Sequence, residues 1–432
     1  MLLIYSLKTT QRISYIFKHI CTRILGVEVD FTSQLEEFIS YTGPKISYGK
    51  KPLGNELFLQ SYGLLTQQGF EDVEVVVKNW SETKGFFSVG KLSALPFDIF
   101  SASFFLLSRY EEYLPHVKDE KGRFLASESI ALKEGFLQQP IVDIWAYKLK
   151  DLLSETFPEL SFPLKKMKVH TIINASQPFA YKNKGFLRSF SGYIKDASKL
   201  KFRAILHRTG ALFGFKEDPF NTFNWLIENV KSINNKITVF FLIGESIKFE
   251  EGVNSKRKVY KLLVKNISDY KEVGLVFSKE SLSDILALKE EKEKMEAITN
   301  RNLLKAMNDD YLVSLPDNYR NLIELEVEED FTMVYENVLG FRASTCTPFL
   351  FYDLDYEIVT PLLINPIAAT TEAFRSLKKK NRMKLFNELL TSVKRVNGNY
   401  SVIFTNKDFS YMEQDKIWKT MFSIITEKRY NE

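Results

Sequence analysis

Residues 319–355 read YRNLIELEVEEDFTMVYENVLGFRASTCTPFLFYDLD. Two apolar, β-prone runs, 322–327 and 332–335, flank the acidic cluster Glu328, Glu329 and Asp330, and a short spacer leads into GFRASTCTPF at 340–349. The pattern predicts a buried strand that ends in charge. In a barrel or an open α/β sheet, side chains at the carboxyl ends of strands face the ligand crevice. Arg342, alone between Phe341 and small residues, is therefore a candidate clamp for an anion or a hydroxyl. The alternative is that it pairs with an acid such as Asp330 or Asp353 and holds two loops together.

The whole chain bounds what this stretch belongs to. With 432 residues it predicts two domains, since a single core rarely grows beyond about 250–300 residues. A hydrophobic share of 45%, with 36 Phe and 20 Tyr, is ample for buried cores and argues against disorder. The net charge of +5 comes from 59 basic and 54 acidic residues spread along the chain, without the concentrated basic face of a nucleic-acid binder. Cys21 and Cys346 lie far apart in apolar settings, so neither a disulfide framework nor a Cys metal motif is expected. The amino-terminal apolar run is too short for a signal-peptide core, and no run of 18 apolar residues follows. The expectation is a soluble, cytoplasmic protein with no membrane and no nucleic-acid partner.

Taken in order, residues 2–5 predict a strand and 10–25 an amphipathic helix bearing His19, which reads as a structural histidine. Residues 27–31 and 73–77 predict further strands. Residues 95–113 predict a long helix, buried early, whose charged end forms either a polar pocket or, the favoured reading, a solvated face on which Arg109 and Glu112 pair at i,i+3. A helix is expected from about 140 to 156, and a composition shift at Pro158, Pro163 and 165–168 sets a domain boundary near 165. Beyond it, strands at 169–173, 238–243, 273–277, 322–327 and 401–404 alternate with helices at 220–231, 257–270, 282–297 and 372–396. That alternation predicts a parallel sheet with right-handed crossovers.

The segment SLPDNYRNLIELEVEEDFTMVYENVLGFRASTCTPFLFYDLD resembles the central part of bacterial polysaccharide deacetylase superfamily proteins, in the subgroup with an extra amino-terminal domain. FDIFSASFFLLSRYEEYL, KGRFLASES and QPIVDIWAYKL fit that domain, and the similarity runs from about residue 90 to the carboxyl terminus, more loosely over 1–90. The resemblance implies a carboxyl-terminal distorted (β/α) barrel over 166–432, preceded by a smaller α/β domain over 1–165. It also implies chemistry. Hydrolysis of an N-acetyl group needs a water activated by a divalent metal on neutral imidazoles and a carboxylate, with a base and an acid beside it.

At each matching position this sequence departs from the pattern. The early Asp pair falls on Asn174 and Ser176, the first metal histidine on Val276, the second on Asp310 and the late histidine acid on Thr405. The four histidines are His19, His116, His170 and His207, so none lies in the part of the chain where the mechanism needs them. Asp309 and Asp310 remain weak candidates for an oxygen-liganded Mg²⁺ or Ca²⁺ together with Glu326, Asp330 or Asp353.

The sequence thus reads as a deacetylase-like protein that has lost its metal and proton-transfer residues. It predicts no cofactor, where the resembled family uses zinc or another divalent metal, and a non-catalytic role in carbohydrate or partner binding within surface-polysaccharide metabolism. Arg342, Thr345, Asp330 and Tyr181 are the candidate binding residues. The alternatives are an active carbohydrate hydrolase or deacetylase with an all-oxygen metal site, and a structural partner of an active homologue.

Overall fold

The computed structural model describes residues 1–229, 236–244, 255 and 257–426. A four-stranded parallel sheet opens the chain, with β1 (Leu2–Tyr5), β2 (Val29–Thr32), β3 (Lys45–Gly49) and β4 (Leu57–Gln60) in the order β2-β1-β3-β4. A hairpin, β5 (Lys78–Trp80) with β6 (Thr83–Gly85), follows. The main sheet holds β7 (Lys168–Asn174), β8 (Lys236–Leu242), β9 (Glu272–Phe277), β10 (Lys305–Asn308), β11 (Glu329–Asp330), β12 (Phe349–Asp353), β13 (Ile358–Ile364), β14 (Ala369–Thr370) and β15 (Asn399–Thr405). Its order is β12-β13-β11-β10-β9-β8-β7-β15-β14, and every neighbouring pair is parallel except β12 with β13.

Alternation along these strands explains how the sheet is buried on both faces. Ile173, Val239, Phe241, Leu275 and Phe404 point into the large core shared with the helices. Their neighbours Ile172, Phe240, Val276, Met307 and Ile403 form a separate apolar cluster with Phe331 and Ile367. A period of two, apolar on both phases, is what a parallel sheet covered on both sides requires. The Ile367 N–H donates to the Met333 carbonyl at 3.4 Å, so the segment entering β14 meets the segment leaving β11. The sheet curls back on itself around the inner cluster.

Most expected elements are present, and the exceptions have physical causes. Residues 322–327 are not a strand: a helix spans Asp317–Glu324, because Tyr319, Leu322 and Leu325 recur at helical spacing and bury one face. Only Glu329–Asp330 pair as a strand, and 332–335 are irregular, with the Thr332 N–H and hydroxyl both donating to Asp330. Residues 73–77 are not a strand either. The expected 372–396 helix is two, Thr371–Arg375 and Lys379–Arg395. The antiparallel β12–β13 pair and the helices Phe186–Ser198 and Phe202–Leu212 were not foreseen.

The helix Ile99–Leu107 is capped by Asp98, whose carboxylate accepts from Phe100 N and Ser101 N, and it is buried on all sides. Arg109 follows it with φ +55°, turning the chain inward. Arg109 and Glu112 do not lie on a solvated face: they are 1% and 8% exposed. The reason lies across the molecule, where Arg342 supplies a second cation for Glu112.

One apolar core runs from Leu2 to Ile425. Tyr15 Oη donates to the Leu350 carbonyl at 2.8 Å, and Arg12 Nε donates to Glu357 at 2.9 Å. Separate expression of residues 166–432 is therefore expected to give an aggregated or unfolded fragment, while co-expression with 1–165 restores solubility. A fragment with cooperative melting and native-like circular dichroism would show that the second portion completes its own core.

Candidate functional site

The carboxyl ends of β7, β10, β14 and β15 open into one cleft of about 780 Å³. Asn174, the last residue of β7, turns its carboxamide back on the chain, and Oδ1 accepts from Ser176 N at 3.0 Å and Ser176 Oγ at 2.6 Å. Its Nδ2 reaches Tyr311 Oη at 3.4 Å. Thr405 ends β15 and caps the following turn, while its N–H donates to Asp408 Oδ2 at 2.7 Å. Thr370 and Thr371 add hydroxyls from the end of β14. Asn174, Ser176, Asp310 and Thr405 therefore meet in one place, whereas Val276 is fully buried in the inner cluster and does not reach the cleft.

Most of the carboxylates here are already engaged. Asp310 Oδ1 accepts from Lys121 Nζ at 2.8 Å, and Glu336 accepts from Lys121 at 3.4 Å and from Arg123 Nη1 at 2.6 Å. Asp408 takes the Thr371 hydroxyl at 2.8 Å and Arg375 Nη2 at 2.6 Å. Lys121 and Arg123 come from the amino-terminal portion, in the KGRFLASES stretch, on a turn closed by the Lys118–Phe124 bridge. Asp309 differs: among the described residues no side-chain donor bonds its carboxyl, and burial, then the charge of Asp310, pushes its pKa up to about 6. Asp310 and Tyr311 follow it with φ +56° and +53°, two consecutive non-glycine residues in the left-handed region. Such strain costs about 1–3 kcal/mol per residue and collects at ligand sites.

These donors do not suit the metal that the resembled chemistry needs. Among the described residues no group of three His, Cys, Asp or Glu side chains is placed to hold an ion. Asp310, on which the resemblance placed the second metal histidine, is paired with Lys121. His170 lies below the cleft, bonded to Thr238 Oγ1 at 2.9 Å and edge-on to Phe331, and burial lowers its pKa to about 3.

The four candidate binding residues lie elsewhere, in the interior. Arg342 is 1% exposed and forks onto Glu112, with Nε to Oε1 at 3.0 Å and Nη2 to Oε2 at 2.8 Å. Its carboxylate partner is thus Glu112, and neither Asp330 nor Asp353 takes that place. Asp353 instead pairs with Arg320 at 2.7 Å. Arg109 joins the same carboxylate at 2.8 Å and donates to the Arg342 carbonyl. Burial opposes ionisation of Glu112, but the two guanidinium groups overcome it and bring its pKa to about 2. Asp330 is buried beneath Tyr319 and Thr332, and burial raises its pKa to about 6. Thr345 Oγ1 donates to Asp143 at 2.7 Å, fastening the loop to the helix Ile141–Thr156. Tyr181 is 8% exposed beneath Arg208. None of the four lines the cleft.

Arg342→Ala is accordingly expected to lower unfolding free energy by about 3–5 kcal/mol, since truncation weakens the charge compensation of buried Glu112. Glu112 has a depressed folded pKa, so its contribution is present above about pH 4.5 and is lost as pH falls toward about 2. Urea titrations of parent and variant at pH 7 and pH 3 check this: the difference between them narrows at the lower pH.

A family model described as a family of unknown function, DUF7033, matches residues 2–158. No curated protein sequence matches the chain. Similar solved structures include a candidate polysaccharide deacetylase from Mycobacterium smegmatis, at 9% identity and a TM-score of 0.40, covering 62% of this chain and 87% of that one. A CE4 family pseudoenzyme from Bacillus anthracis is similar at 13% identity and a TM-score of 0.30, covering 62% of this chain and 63% of its own. A mutant of that pseudoenzyme with restored enzymatic activity aligns at 14% identity and 0.30, over 62% and 64%.

Proposed function

We propose that the chain is a deacetylase-type (β/α) barrel with an amino-terminal α/β portion, and that its cleft binds carbohydrate without hydrolysing it. One observation carries this reading: the positions where the resembled chemistry places carboxylates and histidines come together as Asn174, Ser176, Thr405 and a lysine-paired Asp310. Amides and hydroxyls both donate and accept, which matches the hydroxyl array of a sugar. Tyr311 and Phe220 add aromatic side chains to the cleft lining. Surface-polysaccharide metabolism in the cytoplasm is the setting that fits this reading.

Isothermal titration with chitin and cellulose oligosaccharides, beside an acetate-release assay on acetylated ones, tests it. The expected outcome is saturable binding, weakened about tenfold by Asn174→Ala through the lost hydrogen bonds, with no acetate above background. Metal-dependent acetate release by the parent would overturn the non-catalytic reading.

Asp309 favours a second reading, an active hydrolase. A carboxyl with a pKa of about 6 in a cleft is suited to proton transfer near neutrality. A raised folded pKa also means that stability is lost as pH rises from about 4 through about 6, and Asp309→Asn removes that loss. If hydrolysis of any glycoside or ester follows a profile with an inflection near pH 6 that Asp309→Asn abolishes, the second reading replaces the first. A parent with no turnover at any pH leaves Asp309 as a binding group.

A further inference from the structure

The helices Phe186–Ser198 and Phe202–Leu212 form a hairpin between β7 and β8 that is built inside out. The side facing the protein is polar or small. Arg208 and Asp196 pair there at 2.7 Å, with side chains 10% and 15% exposed, and Arg208 lies over the rings of Tyr181 at 4.8 Å and Tyr193 at 5.4 Å. Gly192 and Ala211 complete that side. The apolar residues point outward: Phe186 is 82% exposed, Phe190 57%, Phe202 67%, Leu206 71%, Phe213 72% and Phe215 82%. Turning the helices over would bury these rings only by exposing the pair and its aromatic bed, so the outward face is a property of the fold.

An apolar face of this density marks a docking surface, and the charge around it selects the occupant. Residues 182–216 contain nine Lys and Arg and one acid, Asp196. Lys195, Lys199, Lys201 and Arg203 are exposed beside the apolar face. A second copy offering the same face would set these cations against their like. A bilayer bearing anionic headgroups complements both features, since rings and Leu side chains enter the acyl boundary while Lys and Arg meet the phosphates. We propose that this hairpin seats the protein peripherally on an anionic membrane surface. This departs from the expectation of no membrane partner, and it needs no spanning segment: no helix among the described residues is long and apolar enough to cross one. The hairpin is rooted at the cleft, where Asp218 accepts from the N–H groups of Ala180, Tyr181 and Lys182 and Phe220 lines the wall. Seating it would hold the cleft mouth close to the lipid surface.

The test is sedimentation of the full chain with vesicles of phosphatidylcholine containing about one third phosphatidylglycerol, against phosphatidylcholine alone. Binding to the anionic vesicles is expected to be at least about tenfold tighter and to fall with added salt. Phe186→Ser with Phe190→Ser, and separately Phe213→Ser with Phe215→Ser, are expected to weaken it by about tenfold or more without changing the melting temperature, because all four rings are exposed. Lys199→Glu with Arg203→Glu should do the same through charge. Absence of binding to the anionic vesicles, or binding that the folded variants retain in full, would overturn the proposal. So would lipid-free self-association abolished by the same Phe substitutions, which would assign the face to a second copy.

Discussion

A single carboxylate, Glu112, holds the molecule together by taking two guanidinium groups in the interior. Arg109 approaches from its own turn and Arg342 from 230 residues away, and all three side chains are at most 3% exposed. Such a cluster is tolerated only when every member is partnered, because an isolated ion in this setting costs several kcal/mol. Arg109 also donates to the Arg342 carbonyl, and Arg342 lies over the Tyr335 ring at 5.5 Å. Asp143 repeats the principle nearby, accepting from Thr345, Cys346 and Thr347. The GFRASTCTPF loop is therefore the seam between the amino-terminal portion and the sheet, and its polar residues are spent on structure.

That seam bears directly on the cleft. Because the amino-terminal portion is locked in place, its Lys121 and Arg123 can reach across to Asp310 and Glu336. Asp310 and Glu336 are thereby paired with cations from the amino-terminal portion, while Asp408 and Glu413 pair with Arg375 of the cleft itself. Among the described residues Asp309 has no side-chain donor, and burial, then the charge of Asp310, raises its pKa. The cleft thus presents paired charges, amides and hydroxyls. The inside-out hairpin beside it follows from the same accounting in reverse: its polar groups satisfy one another inward, leaving the aromatic rings to whatever surface the hairpin meets.

The sequence by itself determined the alternation of strands and helices, because apolar period and breaker residues are local signals. β7, β8, β9 and β15 fall where the β-branched runs predict them. The structure brings Asn174, Ser176, Asp310 and Thr405, singled out by the sequence resemblance, to one cleft. What failed locally is instructive. Residues 322–327 carry Ile and Val and so resemble a strand, but the spacing of Tyr319, Leu322 and Leu325 is the signal that tertiary packing rewards.

Only the tertiary structure decided the roles of the charged side chains. Arg342 and Arg109 look like surface or ligand-facing cations in any local window, and Lys121 looks like part of an ordinary turn. The carboxylates that pair with Lys121 and Arg342 lie 189 and 230 positions away, and Arg109, beside its local partner Glu112, reaches the Arg342 carbonyl 233 positions on; whether a charge is clamp, strut or counter-ion depends on the group that the fold sets beside it and on the water it excludes. No periodicity encodes that distance. The apolar helices of 186–212 carry the same lesson, since a sequence pattern shows that a helix has two faces but not which of them the rest of the chain will cover.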